Sequence, residues 1–324
     1  MKAMTTTIAA VILAAAAGAA SAQYPDRPIT WIVPFAAGGA TDTLARQFAE
    51  RMSRGAGQSI VIENVAGAGG TLGAGKAAQS KPDGYTFLVG HMGYMAAAPS
   101  LYKHLPYDPV KDFDAVVRFP DTPMVLVCGK RVQQDDIGGL LRYARANPGK
   151  LNFGNAGVGS AGHLVAALFA SAAKANIVYV PYKGNAPAYT DIMGGRIDCM
   201  FDQSNTALPQ VRGGKVRAFA VTSRERIPQL PQVPTLDESG LAGFQAATWY
   251  GIYAPRGTPK EAIQWMVARF DDAMNDPAFT AGMVKQGYVL VPPAERGPDA
   301  LAAQTQREVQ VWKKVITDAH IPAN

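Results

Sequence analysis

Short apolar runs alternate with amphipathic stretches along this chain, a pattern that predicts strands and helices in turn. Ile29 to Pro34 reads as a strand, Thr41 to Met52 as an amphipathic helix, and Ser59 to Glu63, Gly70 to Gln79 and Thr86 to Gly90 as strand, helix and strand. This βαβαβ unit forms one lobe. Phe113 to Phe119 and Met124 to Cys128 read as extended, the latter crossing into a second lobe. That lobe takes helix Ile137 to Asn147, strand Leu151 to Gly154, helix His163 to Lys174, strand Ile177 to Pro181, helix Pro187 to Met193 and strand Ile197 to Phe201. Ala218 to Thr222 then returns to the first lobe. A loop punctuated by Pro228, Pro231 and Pro234 follows, then strand Trp249 to Ala254 and helices Pro259 to Met274 and Asp299 to Asp318. The alternation predicts an α/β fold with largely parallel sheets. The expected domains are a first lobe of residues 23–123 and 223–324 and a second lobe of 124–222, joined by a two-strand hinge that lets them close on a ligand.

Two glycine-rich turns, each after a strand and before a helix, carry the candidate chemistry: Pro34 to Asp42 with Gly38 and Gly39, and Gly154 to His163 with Gly157, Gly159 and Gly162. Glycine lets backbone approach a ligand, and the first amides of the following helix have no intrahelical acceptor, so such turns bind anions.

The first residues narrow the choice of anion. Lys2, the apolar run Ile8 to Ala20 and Ala20-Ser21-Ala22 have the form of a secretory signal over residues 1–22, cut before Gln23. The run is short of the roughly 20 residues that span a bilayer. A periplasmic or secreted protein is expected, with a small carboxylate and not a nucleotide as ligand. The formal net charge of +6 suits an anionic ligand. No cluster of Lys and Arg with interleaved aromatics indicates nucleic acid.

Motifs that look catalytic weaken on inspection. Gly70 to Ala77 is one residue from a P-loop, but Ala77 stands where the magnesium-binding hydroxyl belongs. Gly157-Val-Gly159-Ser-Ala-Gly162 fits a dinucleotide turn, yet the next strand ends in Val180-Pro181-Tyr182-Lys183 without the ribose-binding acid. His91, His104, His163 and His320 lack metal-ligand spacing, and no cofactor or metal is expected. Ser160 is not in a nucleophile elbow, so an exported serine-type hydrolase using Ser160 and His163 is the rival reading to a non-enzymatic receptor. Cys128 and Cys199 either pair in an oxidising compartment or remain two buried thiols.

A series of motifs in order along the chain resembles the substrate-binding proteins of tripartite tricarboxylate transporters, the Bug or TctC family. These are Tyr24-Pro-Asp-Arg-Pro28, the Pro34 to Asp42 loop, Ile62-Glu63-Asn64 with Gly67-Ala-Gly69-Gly70, and Pro82-Asp83-Gly84-Tyr85. Asn147-Pro148-Gly149-Lys150, Val180 to Gly184, Gly194-Gly195-Arg-Ile-Asp198, Leu230 to Thr235 and Ala254 to Pro259 continue the series. The resemblance implies a two-lobed periplasmic binding protein of the type II, venus-flytrap kind, with two mixed, mostly parallel sheets. It implies a monomer that binds an organic carboxylate and delivers it to membrane transporter subunits; a receptor that signals to a sensor kinase is the variant of this role.

The resemblance also implies that Ala37 to Thr43 and Gly157 to His163 pinch the carboxylate. Thr41 and Ser160 would donate through hydroxyls, and Gly38, Gly39 and Gly159 through amides. Phe35 would pack on the ligand's apolar body. Asp42 reads best as a helix-start residue that fixes the loop. His91, Met92 and Tyr94 stand where the family often has small polar residues, which favours an aromatic or longer aliphatic acid. His163 reads as a ligand or cap contact. Asp202 would either accept from the ligand or order the hinge, and Tyr182 would either line the cleft or support its loop.

Overall fold

Strand β1 (Ile29–Val33) is buried on both faces, which is why it is apolar at every position but Thr30 and shows no alternation. The computed structural model describes residues 24–318, so the signal-like segment lies outside the described residues. In the first lobe β1 leads to α1 (Ala40–Ser53), β2 (Ile60–Asn64), α2 (Thr71–Ala78) and β3 (Thr86–His91). A π-turn at Gly93–Ala97, α3 (Ala98–Leu101) and β4 (Phe113–Arg118) follow. Strand β5 (Thr122–Cys128) opens the second sheet, and α4 (Ile137–Ala146), β6 (Asn152–Asn155), α5 (Ala161–Ala173), β7 (Val178–Pro181), α6 (Asn185–Met193), β8 (Cys199–Gln203), α7 (Ser204–Arg212) and β9 (Arg217–Val221) build the second lobe. The chain returns through β10 (Ala247–Thr248) to β11 (Tyr250–Pro255), α8 (Lys260–Met274), α9 (Pro277–Lys285) and α10 (Pro298–Asp318).

The first sheet has the order β2-β1-β3-β11-β4, and the second β10-β5-β8-β6-β7 with β9 on β5. Both are mixed. The parallel share is smaller than the alternation suggests: β1 pairs in parallel with β2 and β3, and β6 with β7 and β8, whereas every pairing of β5 and β11 is antiparallel. The antiparallel strands are those that adjoin the crossings, where the chain enters a lobe against the direction of its βα units.

Two parts of the expected path are corrected. Strand β9 does not return to the first lobe but pairs with β5 in the second sheet. The proline loop after it also stays there: Ile227, Leu230 and Val233 are buried with Val125, Val127 and Val221, and Leu236 and Ala246 donate amides to Val221 and Thr222. The chain therefore crosses back at Trp249, after β10 has paired with Thr122 and Pro123 at the start of β5. Single apolar anchors three residues apart among prolines have neither strand nor helix period, so their burial is invisible to pattern.

Aromatic packing holds the outer face of the first sheet, where Phe48 of α1 lies 4.5 Å from Phe119 and 5.3 Å from Phe270, centroid to centroid. The inner faces merge across the lobes, with Ile32 and Leu88 in one buried cluster with Leu126, Phe153 and Phe201. Cys128 and Cys199, opposite each other on β5 and β8, form a disulfide. Among the described residues no helix is long and apolar enough to cross a membrane.

Candidate functional site at the lobe interface

Because each lobe sends its βα turns toward the other, four helices begin around one cleft: α1 after Gly39, α5 after Ser160, α6 after Gly184 and α7 after Gln203. The lobes meet closely there. The Ala36 amide donates to Lys183 O at 3.3 Å, Asn205 Nδ2 to Ala40 O at 3.0 Å, and the Tyr102 hydroxyl to Val158 O at 2.8 Å. Gly69 touches the opposite lobe so tightly that a Cβ built on it would stand 1.9 Å from Val158 O.

The cavity between the lobes is only about 20 Å³, room for little more than a water molecule, so the lobes stand nearly closed on one another and must part to admit a ligand. Its walls are Phe35, Gly39, Ala40, Thr41 and His91 from the first lobe and Ala156, Ser160, Ala161, Gly162, Asn185 and Gln203 from the second. None of these carries a formal charge at neutral pH. Burial drives His91 down to about 3, and its Nδ1 accepts the Gly93 amide at 2.7 Å, which places the ring proton on Nε2 as a neutral donor. Phe35 stacks on the His91 ring at 5.2 Å and 12°. The positive potential at the site comes from helix ends, each equivalent to about half an elementary charge, and from their unpaired amides.

Those amides lie one step further along than the glycines. Gly38 donates to Asp42 Oδ2 at 2.9 Å, Gly39 to Ala36 O at 3.4 Å and Gly159 to His163 Nδ1 at 3.3 Å, so all three expected donors are spent inside their own loops. The first-turn amides of Ala40, Thr41, Ala161 and Gly162 remain, and these residues line the cavity. The glycines shape the turns that aim them.

Of the other residues named from sequence, Phe35, Thr41, His91 and Ser160 come together on the cavity wall with Gly39. Ala37 and Gly38 are exposed on the turn. Asp42 is buried behind it. Burial raises its pKa, but hydrogen bonds from Arg46, the Gly38 amide and Asn64 outweigh that and hold the carboxyl below its ordinary value. Met92 and Tyr94 are buried in the first lobe, and the Tyr94 hydroxyl donates to Val89 O, so of that trio only His91 shapes the cleft. Gly157 takes its amide to Asn155 Oδ1 at 3.0 Å and faces Gly69. Tyr182 turns outward, donating to Asp191 Oδ2 at 2.8 Å. Lys76 of the P-loop-like stretch pairs with Glu63.

Ser160 and His163 do not form a catalytic pair. Ser160 Oγ accepts the His163 backbone amide at 3.4 Å as the cap of α5, and the His163 ring, lowered to about 4 by burial, is turned to the Gly159 amide and to Tyr179. Asp202 is fully buried behind the wall, and Asn185 and Gln203, which it contacts, reach the cavity in its place. Ala40, Ala161 and Gly162 lie inside the expected pinching loops without having been singled out, whereas Ala156, Asn185 and Gln203 lie outside them. The glycine preceding Asn185, at the start of a third helix, was the available signal.

Two lobes joined by a paired-strand hinge, with helix N-termini converging on an uncharged cavity, define a solute-binding receptor of the periplasmic type. Residues 44–321 match the model of the tripartite tricarboxylate transporter family receptor, and the chain belongs to that family. It is 39% identical to a UPF0065 protein from the tcbD-tcbE intergenic region of Pseudomonas sp. strain P51, over 93% of this chain and 89% of the relative. BugT of Bordetella pertussis is 34% identical over 91% of this chain and 90% of its own. Among solved structures, MatC from Rhodopseudomonas palustris with bound malate is 38% identical with a TM-score of 0.86, covering 90% of this chain and 100% of MatC. An R. palustris protein with adipate is 34% identical with a TM-score of 0.89, covering 93% of this chain and 100% of that one. The family and these structural relatives are binding proteins, not enzymes.

Proposed function

We propose that the protein captures a small organic carboxylate between its lobes outside the cytoplasm and hands it to the membrane subunits of a tripartite tricarboxylate-type transporter. The observation that carries this reading is the convergence of α1 and α5, one from each lobe, so that Ala40, Thr41, Ala161 and Gly162 present unpaired amides to one cavity. A carboxylate between them accepts from both lobes at once, through amides and through the Thr41 and Ser160 hydroxyls. Such charge-assisted bonds contribute about 1.5–3 kcal/mol each. Each lobe holds half of the donors, so binding and closure are one event. The malate and adipate in the relatives' structures support the class of ligand.

The test is thermal unfolding and calorimetry against a panel of mono- and dicarboxylates including malate and adipate. One or a few acids should stabilise the protein, by about 2.7 kcal/mol at a hundredfold excess over Kd. Failure of every acid, or turnover of ester or amide substrates, would overturn the reading.

A further inference from the structure

We propose that Asp202 is a positioning residue that locks Asn185 and Gln203 into one amide orientation, and that this pair reads a hydroxyl beside the ligand's carboxylate. Hydroxy-carboxylates are then the preferred class. The assignment rests on the carboxylate-receptor reading and specifies it further.

Asp202 is completely buried and, ionised, can only accept. Its Oδ1 takes Asn185 Nδ2 and the Gln203 amide at 2.8 Å; its Oδ2 takes the Tyr189 hydroxyl at 2.7 Å and Thr206 Oγ1 at 2.6 Å. With four donors it has no capacity left for a ligand. Its effect is on Asn185, whose nitrogen must face it. The second hydrogen of that nitrogen goes to Gln203 Oε1 at 3.0 Å, which fixes the neighbouring amide as well. What remains for the cavity is one acceptor, Asn185 Oδ1, and one donor group, Gln203 Nε2, on residues that both line it.

A hydroxyl both donates and accepts, so it satisfies this pair; a methylene in its place leaves both groups desolvated and unpaired. A third polar group lies buried behind this wall. The Tyr250 hydroxyl is buried beside Thr41 and Gln203 and makes no hydrogen bond of good geometry within the protein. With the carboxylate held by the helix ends, the hydroxyl belongs on the carbon side facing Asn185 and Gln203.

The experiment is calorimetry with matched pairs that differ by one hydroxyl: malate with succinate, 2-hydroxyglutarate with glutarate, and phenyllactate with phenylpropionate. In the best-binding pair the hydroxy acid should bind at least about tenfold tighter. Gln203→Met keeps the size and removes the donor; it should bring the ratio of hydroxy to deoxy acid to within about threefold. Asp202→Asn should lower the ratio in the same direction, and Asn185→Leu replaces it if Asp202→Asn does not fold. A ratio near one in the unaltered protein, or one untouched by Gln203→Met, overturns the assignment and leaves a carboxylate receptor standing. Absence of binding by every acid in every pair overturns both.

Discussion

Replacing Gly69 by alanine should separate closure from folding. Gly69 sits in the first lobe at φ +62°, and its Cβ would lie 1.9 Å from the Val158 carbonyl oxygen of the second lobe, where real contacts stop near 3.0 Å. The loops would have to part by roughly 1 Å, and the obstacle is backbone, which has no rotamer to retreat into. Overpacking of this kind costs about 1–3 kcal/mol. Parting the loops also strains the Tyr102 to Val158 and Ala36 to Lys183 bonds, at about 0.5–1.5 kcal/mol each. A penalty of about 2–6 kcal/mol thus falls on the closed state alone, equivalent at its lower end to roughly a thirtyfold loss of affinity for the acid the panel identifies. Alanine in the left-handed region carries a further strain of about 1–2 kcal/mol in open and closed forms alike. Gly149→Ala isolates that part, since Gly149 has φ +73° and a methyl added there would meet nothing within 4 Å. Calorimetry should find Gly149→Ala near the unaltered affinity and Gly69→Ala far weaker, and scattering should show no compaction of Gly69→Ala on adding the acid. Equal affinity of the two variants would refute closure as the binding event.

Thr41→Ala with Ser160→Ala should weaken carboxylate binding by about tenfold or more per lost bond, and Ser160→Ala should also cost about 1 kcal/mol of stability as a lost helix cap; unchanged calorimetric affinity would place the ligand elsewhere. In acid, the buried His91 and His163, lowered to about 3 and about 4, bind protons less readily than their unfolded forms, so the stability they lend at neutral pH is lost as pH falls below about 6.5. Asp202, raised to about 6 by burial, has the opposite sign and stabilises increasingly as pH falls from there toward its unfolded value. Two imidazoles against the Asp202 carboxyl leave a net loss of about 1.4 kcal/mol per pH unit just below roughly pH 6, which the Asp121 carboxyl, also raised by burial, offsets in part further into acid; the loss should be steeper in Asp202→Asn, urea unfolding between about pH 6 and 4 checks both, and a flat profile in each contradicts them. Cys128→Ala with Cys199→Ala, or reduction, should lower stability by about 2–4 kcal/mol, because the bridge closes a sequence separation of 71, while leaving affinity unchanged since neither residue lines the cavity.

Much of this architecture was legible because βα units write their period plainly: β1 and α1 fall within a residue of the expected Ile29 to Pro34 and Thr41 to Met52. Helix α7 was not, because Pro209 lies inside it and argues against a helix by every local rule. Tertiary packing overrides that preference, with Ala207 and Leu208 buried and Asn205 tied across to Ala40. The hinge was misplaced for a related reason, since the anchors Ile227, Leu230 and Val233 are meaningful only once the β5 and β9 surface exists. In the cleft, the glycine turns fall within two residues of the amides proposed to meet a carboxylate, but pattern did not single those amides out. An amide has no residue type, so a sequence cannot distinguish the amide of Gly39, spent on Ala36, from that of Thr41.

That blindness has a physical counterpart in how the site divides its work. In the proposed site, charge recognition would rest on helix ends and backbone amides, which any sequence folding to these turns supplies, so it would be common property of the architecture. Discrimination among acids must then come from the few side chains that complete the wall, and here those are Phe35 and His91 on one side and Asn185 and Gln203 on the other. With no formal charge among them, a carboxylate inside the cavity would be offset by helix ends and amides and not by a cation, and a neutral polar group would need neither. Asp202 lies outside the cavity for the same reason. A carboxylate in contact with an anion would repel it, but one shell further out it fixes the amides and leaves the cleft neutral.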